Sequence, residues 1–378
     1  EVRRLHPSTV ADTATLKAID ELFIEQSGGA FNLNGAIQSD RGFALLSLEE
    51  ALRLTVTYHR FWTEFLDRHG ARIVLHETCS LMFNFVAAML CAQRRGHYLY
   101  AIMAQGPGKG YNHLLMSGFD FTCPDLDRAL AAIAAGDAAV DASACSAYLD
   151  EFRSSFKVFL GGAFKRPSRT RLRLTAVRDA VRQWMTPTSV DRVLDNIDYW
   201  SARRHGSRTK LTNLRRYQAE VRFDDFDAQQ PYYFYPLHLE PEAVVLYHAH
   251  GLYTNQVKLV QNIAAQIPPG VLLYVKDHPH DHGYRSADDY LALKSVPNIR
   301  LLDASISGKQ VVAHSQGVIT MTGTAGFEAL LLGKQVFTFG KTFYSPATGV
   351  VYVHNVRDLR EQLYAALDRP ATPDAALY

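Results

Sequence analysis

The sequence predicts an α/β protein of two Rossmann-like lobes, and three observations carry that prediction. The chain has 378 residues, beyond the size at which one hydrophobic core usually stops growing. Residues 72–103 read as strand, helix, strand. From residue 244 onward, short apolar runs alternate with helical stretches, the pattern of a parallel, doubly wound sheet. With 47% hydrophobic and 21% charged residues, the chain can fill two cores and lies far from a disordered composition. The expected division is residues 1–228 for the first lobe and 229–378 for the second.

In the first lobe, residues 72–76 (Arg-Ile-Val-Leu-His) look like a buried strand, followed by a helix over 81–94 and a strand over 98–103. The longest apolar stretch, 80–92, is interrupted by Asn84 and ends at Arg94 and Arg95, too short to cross a bilayer. Gly106, Gly108 and Gly110 with Lys109 lack the spacing and the Lys-Ser/Thr pair of a phosphate loop and read as a flexible turn. Residues 126–184 are mainly helical, with a capping region at 141–143 and a break at 165–168. Arg203, Arg204, Arg208, Lys210, Arg215 and Arg216 make a basic run, read as a solvated helical face or connector, with an anionic acceptor or membrane surface as the alternative. The acidic, aromatic residues 223–235 are expected to form a hinge. The second lobe is then expected to place strands at 244–247, 271–275, 299–302, 318–321 and 336–339, and a final helix over 356–367 packs on either lobe.

A net charge of +2 excludes nucleic-acid binding through overall charge. Cys79, Cys91, Cys123 and Cys145 form no CxxC pair and read as reduced core thiols of a cytoplasmic protein. The sequence begins without a basic-then-apolar leader, so export has no support.

Ligands of open α/β sheets bind beyond the carboxyl ends of the strands, so the polar residues after each expected strand are the candidates. Lys276, Asp277, His278 and Pro279 follow one strand, Asp303, Ser305 and Ser307 another, and Thr322, Gly323 and Thr324 a third. The last group opens a helix closed by Gly333, whose N-terminal N–H groups and dipole suit a phosphate. Thr322 and Thr324 add hydroxyl donors, and Glu328, one turn further, is placed to accept from a ribose diol or to cap its own helix. A Gly-Thr turn is also an ordinary cap. Lys276 and His278 at a neighbouring strand end favour the phosphate reading, because they can neutralise and protonate a departing phosphate.

His238, Glu240 and Glu242 stand just ahead of an expected strand, where paired carboxylates suit acid/base or nucleophilic work at a sugar carbon; the plainer alternative is surface acids around Pro241. Glu77, after the first strand, is a further base facing the same cleft, or a helix N-terminal charge. His278, His280 and His282 with Asp277 and Asp281 approach the HxHxDH pattern of metallo-hydrolases, with His248 and His250 nearby in sequence. The spacing is wrong by one residue, and no metal is assigned.

Four segments together carry a resemblance: Pro236-Leu237-His238-Leu239-Glu240-Pro241-Glu242, Asn255-Gln256, Val275-Lys276-Asp277-His278-Pro279 and Gly323-Thr324-Ala325-Gly326-Phe327-Glu328-Ala329-Leu330. In order and spacing they resemble the bacterial capsule polysaccharide biosynthesis glycosyltransferases, the group that includes retaining β-Kdo transferases. The resemblance spans residues 232–344. It implies a GT-B fold, with an acceptor-binding N-terminal lobe and a C-terminal lobe holding a nucleotide sugar, CMP-linked by preference, and no other cofactor. It also implies that Lys276 and His278 meet the donor phosphate, that Thr322, Gly323 and Thr324 surround it, and that Glu328 faces the ribose. Glu242 falls where the Kdo transferases carry a catalytic Asp; His238 stands where they often have Gln, and Asp277 replaces a Glu.

The expected function is therefore transfer of Kdo or a related acidic sugar to a growing surface polysaccharide, with Glu242 as catalytic carboxylate, Glu240 supporting it and Glu77 as base. Expected partners are the nucleotide sugar, a glycan or glycolipid acceptor, and peripherally the inner membrane or a glycan-assembly complex. The alternatives are a polyol-phosphate transferase of the teichoic-acid type, a non-catalytic assembly scaffold and, last, a metal hydrolase.

Overall fold

The protein is described by a computed structural model that covers all residues except 106–110, 155–167, 186–187, 195–206, 252, 280 and 369–378. The glycine turn and part of the basic run, including Arg203 and Arg204, lie outside the described residues. The strands are β1 (Ile73–Leu75), β2 (His97–Gln105), β3 (Tyr111–Ser117), β4 (Tyr232–Pro236), β5 (Leu272–Lys276), β6 (Ile299–Leu302), β7 (Gly317–Thr320), β8 (Gln335–Thr338) and β9 (Val350–Tyr352).

In the first lobe, β1 and β2 run parallel, joined by the helix Met82–Gln93, and β3 adds antiparallel to β2. That helix is buried almost throughout because it lies against the sheet and against the helices Thr13–Gln26 and Leu48–His69. Asn84, the polar interruption of the apolar run, is buried and donates to the Tyr98 hydroxyl at 3.0 Å. The longest helix of the lobe, Leu48–His69, starts at a Ser47/Glu50 capping box and ends at Gly70 in the left-handed conformation (φ 57°). β1 departs from the buried strand expected: it is an edge strand, and Ile73 and Leu75 are 61% and 70% exposed on the face away from the Met82–Gln93 helix.

The second lobe is a six-stranded, fully parallel sheet in the order β6-β5-β4-β7-β8-β9. Counted within the lobe this is 3-2-1-4-5-6, the doubly wound order whose topological switch point lies between β4 and β7. A parallel sheet is covered on both faces, and β4 shows how. Tyr233 and Tyr235 enter the core on one side, Tyr232 and Phe234 the core on the other. The aromatic stretch expected as a hinge is therefore the central strand of the lobe. Conversely, the strand expected at 244–247 is a helical turn, Val244–His248. It sends Leu246 and Tyr247 into the first lobe's core, where the Tyr247 ring lies 5.3 Å from that of Phe85 and 5.7 Å from that of Phe31.

Other elements also cross between the lobes. Helix Ala142–Ser154 packs Tyr148, Leu149 and Phe152 around Leu331, and Arg153 Nε donates to the Leu331 carbonyl at 3.0 Å. Helix Ser207–Glu220, N-terminal to the expected boundary, packs on the second lobe: Asn213 donates to the Gly283 and Tyr284 carbonyls, both at 3.1 Å, and Tyr217 donates to the Arg285 carbonyl. The basic run is only partly the solvated face expected. Lys210 is buried with its ammonium 3.9 Å from the Tyr284 ring centroid, and burial pushes its pKa down to about 8. Arg216 bridges Glu220 and Asp288. The final helix, Leu359–Asp368, puts Leu359 and Leu363 into the second lobe's core.

Candidate functional site

The switch point is built by the segments that leave β4 and β7 at their carboxyl ends. After Pro236 the chain stays on the sheet for one more bond, Leu237 N–H to the Lys276 carbonyl at 2.9 Å, and then places His238. Gln256 clamps the His238 backbone from both sides, accepting from its N–H at 2.8 Å and donating to its carbonyl at 3.0 Å. The His238 ring crosses to β7: its Nε2 accepts from the Met321 N–H at 3.3 Å and lies 3.1 Å from Thr320 Oγ1. Burial, with His278 and Arg285 adding to it, pushes the His238 pKa down to about 3, so the ring is neutral. With Nε2 accepting, the proton resides on Nδ1, as a donor beside Gly323. A Cβ at residue 323 would lie 2.5 Å from His238 Cε1, which is why glycine stands there.

Gly323 is the N-cap of the helix Thr324–Leu331, whose first turn carries no side-chain cap. Gly326 N–H turns back to the Gly323 carbonyl at 3.0 Å and Gly323 N–H donates to Thr320 Oγ1 at 3.3 Å, so the dipole end and the Thr324 and Ala325 N–H groups are what the helix start offers an anion. Thr322 is buried and its Oγ1 has no hydrogen-bond partner among the described residues, an unmet donor at the same place. Thr324 is exposed at the helix start. Tyr344 fixes the turn by donating to the Gly323 carbonyl at 2.6 Å.

Beyond β5, the chemistry-bearing residues are organised by Arg285, which sequence reasoning does not single out. Its side chain is 2% exposed and meets Glu240 at 2.5 Å, Asp281 at 3.2 Å and Asp277 at 3.4 Å, and it donates to the His238 carbonyl at 3.1 Å. Asp277 also accepts from Tyr290 Oη and from the His278 N–H, the latter at 2.9 Å. Three carboxylates on one guanidinium leave an excess of negative charge. Burial first, then Asp277, pushes the Asp281 pKa up to about 8. Asp277 and Asp281, which a metal reading would need, are thus turned to Arg285, and His280 lies outside the described residues. Lys276 is buried, its Nζ donating to the Asp277 carbonyl at 3.3 Å; burial lowers its pKa, against the pull of Asp277 and Asp303.

The two carboxylates around Pro241 occupy different environments. Glu240 is committed to Arg285. Glu242 is half-buried where the second lobe meets the first, and burial pushes its pKa up to about 7 against the opposing charge of Arg41. Glu77 is exposed; its neighbour Thr78 meets His248 Nε2 across the lobes at 3.2 Å. Burial, then His250, pushes the His248 pKa down to about 3. Close by opens a cleft of about 540 Å³ between Ser27, Gly28 and Gly29, Phe119 and Asp120 of the first lobe and His250 and Lys341 of the second. Lys341 and Asp120 approach to 3.7 Å across it.

Two expected site residues lie apart from this assembly. Ser305 is exposed and its hydroxyl is given to Asp303 at 2.5 Å in a local turn. Glu328 is half-buried beneath helix Ala142–Ser154, facing Lys309, and burial pushes its pKa up to about 7.

Residues 190–372 match the family described as capsule polysaccharide biosynthesis protein. The match takes in just under half of the chain. It contains the whole of the parallel sheet and every candidate residue except Glu77. A curated relative, Protein FixF of Sinorhizobium fredii (strain NBRC 101917 / NGR234), is 27% identical over 144 residues, which make up 37% of this chain and 33% of FixF. The match therefore spans a third of that relative's length. Among solved structures, the β-Kdo 2,7 transferase of Thermosulfurimonas dismutans KpsC aligns over 84% of this chain and 78% of its own, at 11% identity and a TM-score of 0.36. The β-Kdo 2,4 transferase of the same protein aligns over 81% and 78%, at 16% identity and 0.33. The UDP-GlcNAc 2-epimerase of Neisseria meningitidis, bound to UDP-GlcNAc, aligns over 88% and 79%, at 13% identity and 0.32.

Arg285 has a signal in the sequence: it follows Asp281 by four residues and Asp277 by eight, and so many acids beside His-Pro require a cation if buried. Arg41 and Thr320 have none, since their roles depend on contacts across sheet and lobes.

Proposed function

We propose that this chain transfers a sugar from a nucleotide-activated donor to a growing bacterial surface polysaccharide, with Kdo or a related acidic sugar on CMP as the preferred donor. The observation that carries the reading is the meeting, at the switch point of a capsule-biosynthesis segment, of an uncapped helix N-terminus with Thr322 Oγ1 unpartnered and His238 protonated on Nδ1. A donor phosphate is the acceptor that these groups fit. Lys276 and His278 complete the charge around it, and Thr324 contributes at the rim.

Glu242 acts at the sugar carbon. With a pKa near neutrality it exchanges protons readily at pH 7. In a retaining reaction its carboxylate bonds to the anomeric carbon while the nucleotide leaves with the electrons of the C–O bond, and the acceptor then displaces it; in an inverting one it takes the acceptor hydroxyl's proton. Glu240, held by Arg285, positions the loop that carries Glu242. Glu77 serves the acceptor side of the lobe junction, next to the Asp120–Lys341 cleft.

The test is acceptor-dependent release of nucleotide from CMP-Kdo by the purified chain, with a surface-glycan oligosaccharide as acceptor and UDP- and GDP-sugars as comparisons. The expected outcome is release from one donor class, lost in Glu242→Ala. Nucleotide binding without acceptor-dependent release from any sugar donor would contradict the reading, and turnover of a CDP-polyol would replace it with polyol-phosphate transfer.

A further inference from the structure

Among the described residues, one helix carries five of the fifteen exposed large hydrophobic side chains. On helix Arg169–Met185, Leu174, Val177, Val181, Trp184 and Met185 are 69%, 66%, 52%, 87% and 71% exposed. Their spacing of three and four residues places them on a single stripe about 100° wide. Arg173 borders that stripe on one side, Arg171 and Arg178 on the other, all exposed. The helix sequence contains five arginines and one aspartate. Its opposite face, with Leu172, Thr175 and Ala176 half-buried, packs toward helix Ser207–Glu220. That second helix is in turn tied to the donor lobe by Asn213, Arg216 and Tyr217. The apolar stripe is thus presented outward on a fixed support.

We propose that helix Arg169–Met185 lies in the surface of an anionic lipid bilayer, its apolar stripe among the acyl chains and its flanking arginines at the phosphates. Charge complementarity selects this occupant. A row of apolar side chains bordered on both sides by guanidinium groups matches an anionic interface, where arginine stems lie along the apolar layer and their heads reach the phosphates. A second copy of this chain seated on the same stripe would instead bring like charges together. No helix among the described residues is long and apolar enough to cross a membrane, so the contact is one of lying on the surface. The inference stands apart from the transfer reaction, because lipid binding is read without turnover.

The test is co-sedimentation of the full chain with vesicles of phosphatidylethanolamine and phosphatidylglycerol, set against vesicles of phosphatidylcholine alone. Binding is expected to the anionic vesicles, to weaken as salt rises, and to fall by at least about tenfold in the triple variant Val177→Ser, Val181→Ser, Trp184→Ser. Thermal unfolding and nucleotide-induced stabilisation of that variant are expected to match the wild type, which separates loss of the surface from loss of the fold. Trp184 emission should shift to the blue on vesicle binding. Equal binding to neutral vesicles, binding unchanged in the triple variant, or no vesicle binding by a dimer that the triple variant dissociates would each overturn the proposal.

Discussion

Replacing Arg285 with Met should destabilise the second lobe more than any single change elsewhere in the site, and should do so in a pH-dependent way. The guanidinium is buried and serves three carboxylates and the His238 carbonyl. Met fills a similar volume but leaves Glu240, Asp277 and Asp281 facing one another. Breaking a buried ion pair by removing one partner costs about 3–5 kcal/mol. For a unit of this size that corresponds to a fall in Tm of roughly 10 °C. The three carboxylates avoid the cost by taking up protons, so their folded pKa values rise above the unfolded ones. Stability gained by such groups is present at low pH and lost as pH rises through the folded values. The deficit relative to wild type should therefore be smallest near pH 5 and grow toward pH 8. Arg285→Lys keeps the charge but not the fork, and should fall between the two. Differential scanning calorimetry at both pH values measures this, with circular dichroism confirming that the variant folds. A deficit below about 1 kcal/mol, or one independent of pH, would refute the assignment of Arg285 as the centre of this cluster.

Three further changes have definite expected outcomes. Gly323→Ala places a Cβ 2.5 Å from His238 Cε1, and should weaken nucleotide binding in calorimetric titration while leaving the fold intact, since residue 323 has ordinary extended dihedrals. Thr322→Val removes a buried hydroxyl without a partner among the described residues, so it should stabilise the unliganded protein by about 1 kcal/mol in denaturant melts while weakening donor binding by roughly tenfold or more. In Glu328→Gln the burial cost of ionisation disappears. Because the Glu328 pKa is raised to about 7, its stabilising contribution is complete below about pH 4.5 and lost through pH 7, so the variant should gain roughly 1–2 kcal/mol on wild type between pH 5 and 8 in denaturant melts.

Four strands of the parallel sheet, β5 to β8, are legible in the sequence because they are four-residue or five-residue runs rich in apolar side chains, with small or polar residues at or just beyond the carboxyl end. The candidate site is legible for the same reason: in this topology the segments leaving β4, β5 and β7 converge. Two elements of the second lobe depart from their sequence patterns, by related causes. Tyr232–Pro236 lacks the alternation of a half-buried strand because it feeds cores on both faces, so as a sequence it resembles an aromatic hinge. Val244–His248 is a short β-branched run that fits strand or helix equally by periodicity, and its helical form follows from packing Leu246 and Tyr247 into the other lobe. Lys210 reads as solvated because nothing local announces that Gly283 and Tyr284, more than seventy residues on, receive its side chain. Glu240 and Glu242 are equivalent as letters. They differ in kind only because Arg285 reaches one and the first lobe covers the other.

The measurement that bears most directly on the donor site is a thermal-shift panel of CMP, CDP, UDP, GDP and ADP against wild type, Thr322→Val and His278→Ala. A ligand that binds only the folded state raises Tm according to its concentration relative to Kd, so selectivity among nucleotides is read directly. The account predicts stabilisation by CMP above the others, reduced in both variants. No shift with any nucleotide at saturating concentration, or a shift that neither variant alters, would contradict a donor site at the junction of β4 and β7.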